Sequence, residues 1–123
     1  MASEERGTIR HSIYILMKDT GSDAVERQLQ LGRRLLTGHP GQIGFSAAVL
    51  ATGLVRHQQV PYLQNYTAFT VSFHFVWENA AAHDEYQTSD RHRQFIAQSN
   101  SNWERLIVLD SVTADGVGSS VLH

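Results

Sequence analysis

The chain contains no cysteine, and this absence excludes several kinds of chemistry. A protein without cysteine forms no disulfide, offers no thiolate to zinc and has no thiol nucleophile, and it is compatible with a reducing cytoplasm. An excess of positive charge is also missing, since 10 Lys and Arg residues stand against 12 Asp and Glu residues. The formal net charge of -2 therefore gives no basic surface for nucleic acid.

Long apolar runs are missing as well. No stretch approaches the length of a membrane span, and the polar residues 1–8 lack the apolar core of a signal peptide. The 123 residues suit a single domain. We therefore expect a cytoplasmic protein with a flexible N-terminus at 1–9, one domain over 10–113 and a flexible Gly/Ser-containing tail at 114–123.

Apolar periodicity predicts the order β-α-β-β-α-β. Four segments, 10–18, 41–56, 66–77 and 104–112, have the alternation or apolar content of strands. Asp23 and Glu26 form a capping-box pattern at the start of the first helix. The second helix is split into a segment at 78–86 and another that Ser89 caps, running to Trp103. This order predicts an α+β, ferredoxin-like fold, a four-stranded antiparallel sheet with helices on one face.

The opposite face of the predicted sheet is too apolar in part to be left in water. It carries Tyr14 and Val76 among hydroxyl residues, and His74 points to the same side. Two such sheets are expected to pack together, which predicts a homodimer.

The segment YQTSDRHRQF at 86–95 carries the candidate catalytic pair. His92 follows the Ser89 cap by three residues, and a helix start disfavours imidazolium, so a neutral ring could accept a proton near pH 7. Tyr86 could donate a hydrogen bond to an oxygen that gains charge. The alternatives are a surface histidine at a helix start and a core tyrosine with its hydroxyl at the rim.

Several further residues are candidates for lining a substrate pocket between the sheet and the helices. His11 shares a strand face with Ile13 and Ile15, although a lone histidine on an apolar face is more often a core residue. Asp110 ends the last strand and could orient His92, or it could simply form a turn. The expected apolar walls of the pocket are Phe95, Trp103, Leu106 and Val108.

Other kinds of site lack their sequence patterns. The histidines show no HxH or HxxxH spacing, and no carboxylate pair joins them, so no metal site is predicted. This holds for His57, His74, His83 and His92, which lie on different predicted elements. A glycine-rich nucleotide loop and a serine elbow motif are absent too, so no cofactor is expected.

Three segments together resemble the dimeric α+β barrel proteins of the stress-responsive type. These are RHSIYILMKD, YQTSDRHRQF and WERLIVLDSVT, and the resemblance covers about residues 10–113. Within that family the spacing of Tyr86 and His92 is most similar to that of plant polyketide cyclases of the olivetolic acid-forming type. Two features of those cyclases have no match here: a third-strand histidine, where this chain has Phe69 or Val71, and a helix tyrosine near Gly32.

The resemblance implies a reaction and the residues that perform it. Tyr86 and His92 would be catalytic and His11 would line the pocket of a homodimeric enzyme that cyclises a small polyketide-like substrate by an aldol step without metal or cofactor. The same pair could run the reverse reaction as a lyase. The alternatives are a ligand-binding stress-response barrel without turnover and a cofactor-independent monooxygenase of the antibiotic-biosynthesis type.

Overall fold

The computed structural model describes residues 7–56 and 66–114, and these residues form four strands and three α-helices. A short 3₁₀ turn, Asn100–Asn102, follows the last helix. In chain order the elements are β1 (Ile9–Met17), α1 (Ser22–Leu35), β2 (Gln42–Val49), β3 (Val71–Trp77), α2 (Ala80–Gln87), α3 (Asp90–Ser99) and β4 (Trp103–Val112).

The strands form one antiparallel sheet in the order β2-β3-β1-β4, which confirms the predicted ferredoxin-like fold. The two central strands alternate between buried and half-buried residues, β3 along its whole length and β1 from His11 onward. Their buried side chains face the helices and form the core with residues of α1, α2 and α3, as the alternation predicted. The core side chains from these two strands are Ile13, Ile15, Met17, Val71, Phe73, Phe75 and Trp77.

The start of α1 differs from the prediction. The helix begins at Ser22, its N-cap is Gly21, and no side chain caps it. Asp23 therefore lies inside the first turn, so the predicted capping box with Glu26 is wrong. The preceding turn is instead held by Asp19, whose Oδ1 accepts a hydrogen bond from the Gly21 backbone N–H at 2.9 Å.

The split of the second helix is confirmed. Asn79 caps α2 by accepting from the Ala82 backbone N–H, and Ser89 caps α3 by accepting from the backbone N–H of His92. The prediction that this helix reaches Trp103 is wrong, because the 3₁₀ turn ends the helical segment. Trp103 instead begins β4, where it pairs with Met17.

Strands β2 and β3 are shorter than their predicted segments, and part of the connection between them lies outside the described residues. So do His57 and most of the two termini that were predicted to be flexible. None of the helices in the described part of the chain has the length and apolarity that a membrane crossing needs.

Candidate functional site

His11 lies on the buried face of β1, and only 1% of its surface is exposed. Its Cα partner across the β1–β4 ladder is Asp110, and its Nδ1 is in hydrogen-bond contact with Asp110 Oδ1. Directly opposed residues of antiparallel strands share one face of the sheet, which is why these two side chains meet. The expectation that Asp110 orients His92 is therefore corrected: its partner is His11.

The environment of His11 favours a neutral ring. Burial lowers the pKa of His11, and the hydrogen bond and charge of Asp110 act in the opposite direction without cancelling the effect. Since a carboxylate only accepts hydrogen bonds, Nδ1 carries the proton and Nε2 carries a lone pair. This Nε2 is buried and has no hydrogen-bond partner among the described residues.

Tyr86 lies near the end of α2, 2% exposed, and its ring is surrounded by aromatic side chains. The centroid of the Tyr86 ring lies 4.8 Å from that of His92, 5.0 Å from His39 and 6.1 Å from His11. Its hydroxyl is buried without a hydrogen-bond partner among the described residues. Burial raises the pKa of the phenol, so Tyr86 stays protonated near neutral pH and can donate a hydrogen bond.

His92 is the third residue of α3, as the Ser89 cap predicted, and its backbone N–H donates to Ser89 Oγ at 3.2 Å. Its side chain is half-buried. Burial is the main cause that lowers the pKa of His92, the electrostatic effects of His11, His39 and Arg93 lower it further, and a backbone hydrogen bond to Gln87 acts in the opposite direction. His92 is thus a neutral base near pH 7, and its ring packs against that of Tyr86.

A half-enclosed cavity of about 230 Å³ opens beside these groups, between α3 and strands β1 and β4. Its polar lining includes His11, His92 and Asp110, and the sequence had not indicated Gln87, which also lines it. Ile15 does not line it, because this side chain is fully buried in the core. Tyr86 does not line it either, and its ring packs against those of His11 and His92. The apolar walls are Ile13, Phe95, Ile96, Trp103, Leu106 and Val108.

Two further histidines, His83 and His39, lie next to the site residues His11 and Tyr86. The sequence analysis had given neither of them a role in the site. The ring of His83 packs 4.9 Å from that of His11, and His83 Nε2 lies 3.8 Å from Asp110 Oδ1. His83 precedes Tyr86 by three residues, a helical spacing that puts both on one face of α2 and could have indicated it. His39 follows α1, where Nε2 lies 2.9 Å from the Leu35 carbonyl oxygen, and no sequence pattern pointed to it.

His74 lies on the opposite face of the sheet, away from the cavity. Its two ring nitrogens each lie 2.9 Å from a serine hydroxyl, Nδ1 from Ser12 and Nε2 from Ser72. Burial lowers the pKa of His74. The ring also packs against Tyr14. His74 is therefore part of a small polar cluster in the middle of the open sheet face.

Comparison with known proteins identifies the family of this chain. The sequence model of the stress responsive A/B barrel domain matches residues 9–113. The chain belongs to this family. No curated protein sequence matches it significantly. The family assignment agrees with the resemblance found in the strand β1, α2–α3 and strand β4 segments.

Solved structures of similar fold include both uncharacterised proteins and an enzyme. A stress-responsive barrel family protein from Mesorhizobium loti, described as ferredoxin-like, has a TM-score of 0.66 at 20% identity, covering 88% of this chain and 98% of the other. The hydroxynitrile lyase from Passiflora edulis has a TM-score of 0.68 at 14% identity, covering 88% and 94%. A dimeric ferredoxin-like protein of unknown function from Thermobifida fusca has a TM-score of 0.67 at 16% identity, covering 86% and 91%. At these identities the likeness establishes the fold alone.

Proposed function

We propose that the protein is an enzyme that forms or breaks a carbon–carbon bond next to a carbonyl group in a small, polyketide-like molecule. The observation that supports this most directly is the meeting of two neutral imidazoles, His11 and His92, at one largely apolar cavity. The ring of Tyr86 packs against both, and its hydroxyl is buried without a hydrogen-bond partner among the described residues. Titratable groups whose pKa values are shifted by burial in a cleft are typical of sites for acid–base chemistry.

In the proposed reaction His92 acts as the general base. It removes a proton from the carbon next to a carbonyl. Because Tyr86 does not line the cavity, this mechanism requires the substrate carbonyl to enter between the rings of His11 and His92, where the Tyr86 hydroxyl donates a hydrogen bond to the oxygen of the resulting enolate. The enolate carbon attacks a second carbonyl of the same molecule, forming the new carbon–carbon bond and an alkoxide. The proton held by His92 then returns to the alkoxide oxygen, so the base is regenerated and no cofactor is consumed.

The other cavity residues would position the substrate. Asp110 holds the ring of His11 by its hydrogen bond, and His11 Nε2, which lacks a partner in the described part of the chain, can accept from a substrate hydroxyl. The apolar walls hold the two reacting carbons of the substrate in the geometry of attack, which lowers the entropic cost of closing the ring. A volume of about 230 Å³ is below the usual range of ligand pockets, so a compact substrate of about one ring is expected.

Run in reverse, the same residues would cleave a carbon–carbon bond. This direction is proposed as the second candidate because the Passiflora edulis relative in fold is a hydroxynitrile lyase. Here His92 would take the proton of a substrate hydroxyl, and the carbonyl would form as the neighbouring carbon–carbon bond breaks. The departing carbanion would then recover the proton from His92.

We also propose that two copies pair through the open face of the sheet. That face carries Leu109, which is 59% exposed, and a groove of about 460 Å³ lined in part by Tyr14, Ser72 and Ile107. Exposed apolar area of this kind on a sheet favours association. The Thermobifida fusca relative in fold is described as dimeric. The molar mass of the protein in solution measures this directly.

Exchange of α-protons for deuterium tests the reaction without knowledge of the natural substrate. Aryl methyl ketones and short linear polyketide analogues are incubated with the protein in D₂O, and loss of the α-proton signal is followed by NMR. The wild type is expected to accelerate exchange in at least one compound, and His92→Ala to reduce that rate by roughly 100-fold or more. Gln94→Ala, an exposed position on the same helix, is the matched control and should retain the wild-type rate.

The outcomes separate the candidate functions. Exchange followed by a cyclised product supports the cyclase, and cleavage of a cyanohydrin supports the lyase. Saturable binding of these compounds with no exchange would contradict the enzyme proposal and favour a ligand-binding barrel. Oxygen uptake with a phenolic substrate would favour a monooxygenase instead.

A further inference from the structure

Three potential metal ligands from three separate elements meet beside the cavity, and two of them, His11 and Asp110, line it. They are His11 on β1, His83 on α2 and Asp110 on β4, and one ligand atom of each lies within 4.8 Å of the other two. Asp110 Oδ1 is the central atom, because it contacts His11 Nδ1 and lies 3.8 Å from His83 Nε2. Sequence spacing could not predict such a site, since its members are brought together only by the sheet register and the docking of α2.

The hydrogen bonds of His83 leave a lone pair on Nε2, which could bind a cation. His83 Nδ1 lies 3.0 Å from Asp84 Oδ1, and because the carboxylate can only accept, Nδ1 carries the proton. The Nε2 lone pair therefore faces the negative oxygen of Asp110, with only a 3.3 Å contact to the Gln87 side-chain amide. A carboxylate on the second nitrogen is the usual outer partner of a metal-binding histidine.

We propose that His11, His83 and Asp110 bind a divalent transition-metal ion of the Zn²⁺ class. Two imidazoles and one carboxylate suit Zn²⁺, Co²⁺ or Ni²⁺ better than Mg²⁺ or Ca²⁺, which prefer oxygen ligands. The Asp110 side chain is 46% exposed, so it can turn to open its contact with His11 and admit the ion. Because His11 and Asp110 also line the cavity, a fourth coordination position faces the space proposed for the substrate.

This site goes beyond the proposed reaction, which needs no metal. The ion would bind His11 Nδ1 in place of Asp110 once the proton of Nδ1 has moved to Nε2, and it would place positive charge at the polar end of the cavity. In this metal-bound form Nε2 would donate to a substrate oxygen instead of accepting from a hydroxyl. The ion would leave Tyr86 and His92 outside its ligand set. A failure of metal binding would therefore leave the proton-exchange proposal intact, and a failure of exchange would leave the metal site intact.

Calorimetric titration of the full-length chain without an affinity tag, freed of metal by a chelator and then titrated with ZnCl₂, tests the site. We expect saturable binding of about one ion per chain, since three protein ligands with one open position form a complete zinc site. His83→Gln should weaken it by more than roughly tenfold, since it removes one of the three ligands. His74→Gln, which alters a histidine on the other face of the sheet, should bind Zn²⁺ like the wild type.

A second variant keeps the test valid if His83→Gln folds poorly. The Asp84 side chain is 78% exposed and touches the proposed ion only through His83, so Asp84→Asn should fold normally. It should still weaken binding by roughly tenfold to 100-fold. Co²⁺ should add visible absorption bands of a four-coordinate ion in the wild type and not in His83→Gln. Absence of saturable binding, or binding that both His83→Gln and Asp84→Asn leave unchanged, would overturn the proposal.

Discussion

Tyr86→Phe is expected to reduce the α-proton exchange rate by roughly 100-fold to 1,000-fold, the effect of losing one donor to a developing oxyanion. The same substitution should leave the free energy of unfolding unchanged or raise it by about 1–3 kcal/mol. The reason is that the Tyr86 hydroxyl is buried and has no partner to lose in residues 7–56 and 66–114, while its ring contacts with His92, His39 and Trp77 survive in Phe.

This combination separates a functional hydroxyl from a structural one. Urea denaturation gives the stability, and the exchange assay gives the rate. Tyr14→Phe, on the opposite face of the sheet, serves as the matched control and should keep the wild-type exchange rate. A Tyr86→Phe protein that loses stability and exchanges at the wild-type rate would show that the hydroxyl only supports the fold.

Gly32→Ala should lower the free energy of unfolding by about 1–3 kcal/mol, which is typical of overpacking in a core. A Cβ atom at Gly32 would lie 2.2 Å from Cε1 and 2.4 Å from Cζ of Phe73. The Phe73 ring is fully buried and packs against Phe45 and Phe95, so it has no space to retreat. Alanine is favoured over glycine in a helix by only about 0.5–1 kcal/mol, and the clash is therefore expected to decide the sign.

Chemical denaturation of the single and double variants measures this effect. Gln30→Ala, at an exposed position of the same helix, should change the stability by less than about 0.5 kcal/mol. Combining Gly32→Ala with Phe73→Leu should cost less than the sum of the two single changes, because the smaller side chain removes the clash. A stabilised Gly32→Ala variant would contradict the close packing of α1 on β3.

Local patterns in the sequence were sufficient for the parts of the site that lie close together along the chain. Alternation placed His11 on the buried face of β1, and the Ser89 cap placed His92 in the first turn of α3. Both inferences depend on a few neighbouring residues, and the structure agrees with them. All four predicted apolar walls, Phe95, Trp103, Leu106 and Val108, line the cavity, although Trp103 does so from β4 and not from the helix where it was predicted.

The partners of these residues depend on contacts between distant segments. The pairing of Asp110 with His11 joins residues 99 positions apart, and it follows from the register of β1 and β4. The approach of His83 follows from how α2 docks on the sheet. A short sequence pattern encodes neither the register nor the docking. Sequence reasoning therefore offered His92 as the possible partner of Asp110, with a turn-forming role as the alternative, and it did not find the group of potential metal ligands.

The pH dependence of α-proton exchange tests most directly whether a neutral His92 is the base. Burial places the pKa of His92 below its ordinary value, so the ring is unprotonated at pH 7. With a ketone that does not itself titrate, kcat/KM should be constant from pH 8 down to about 6.5 and should fall as His92 gains its proton at lower pH. The His92→Ala protein should lack this inflection. A wild-type rate that rises with hydroxide concentration across the whole range, with His92→Ala following the same curve, would contradict the account.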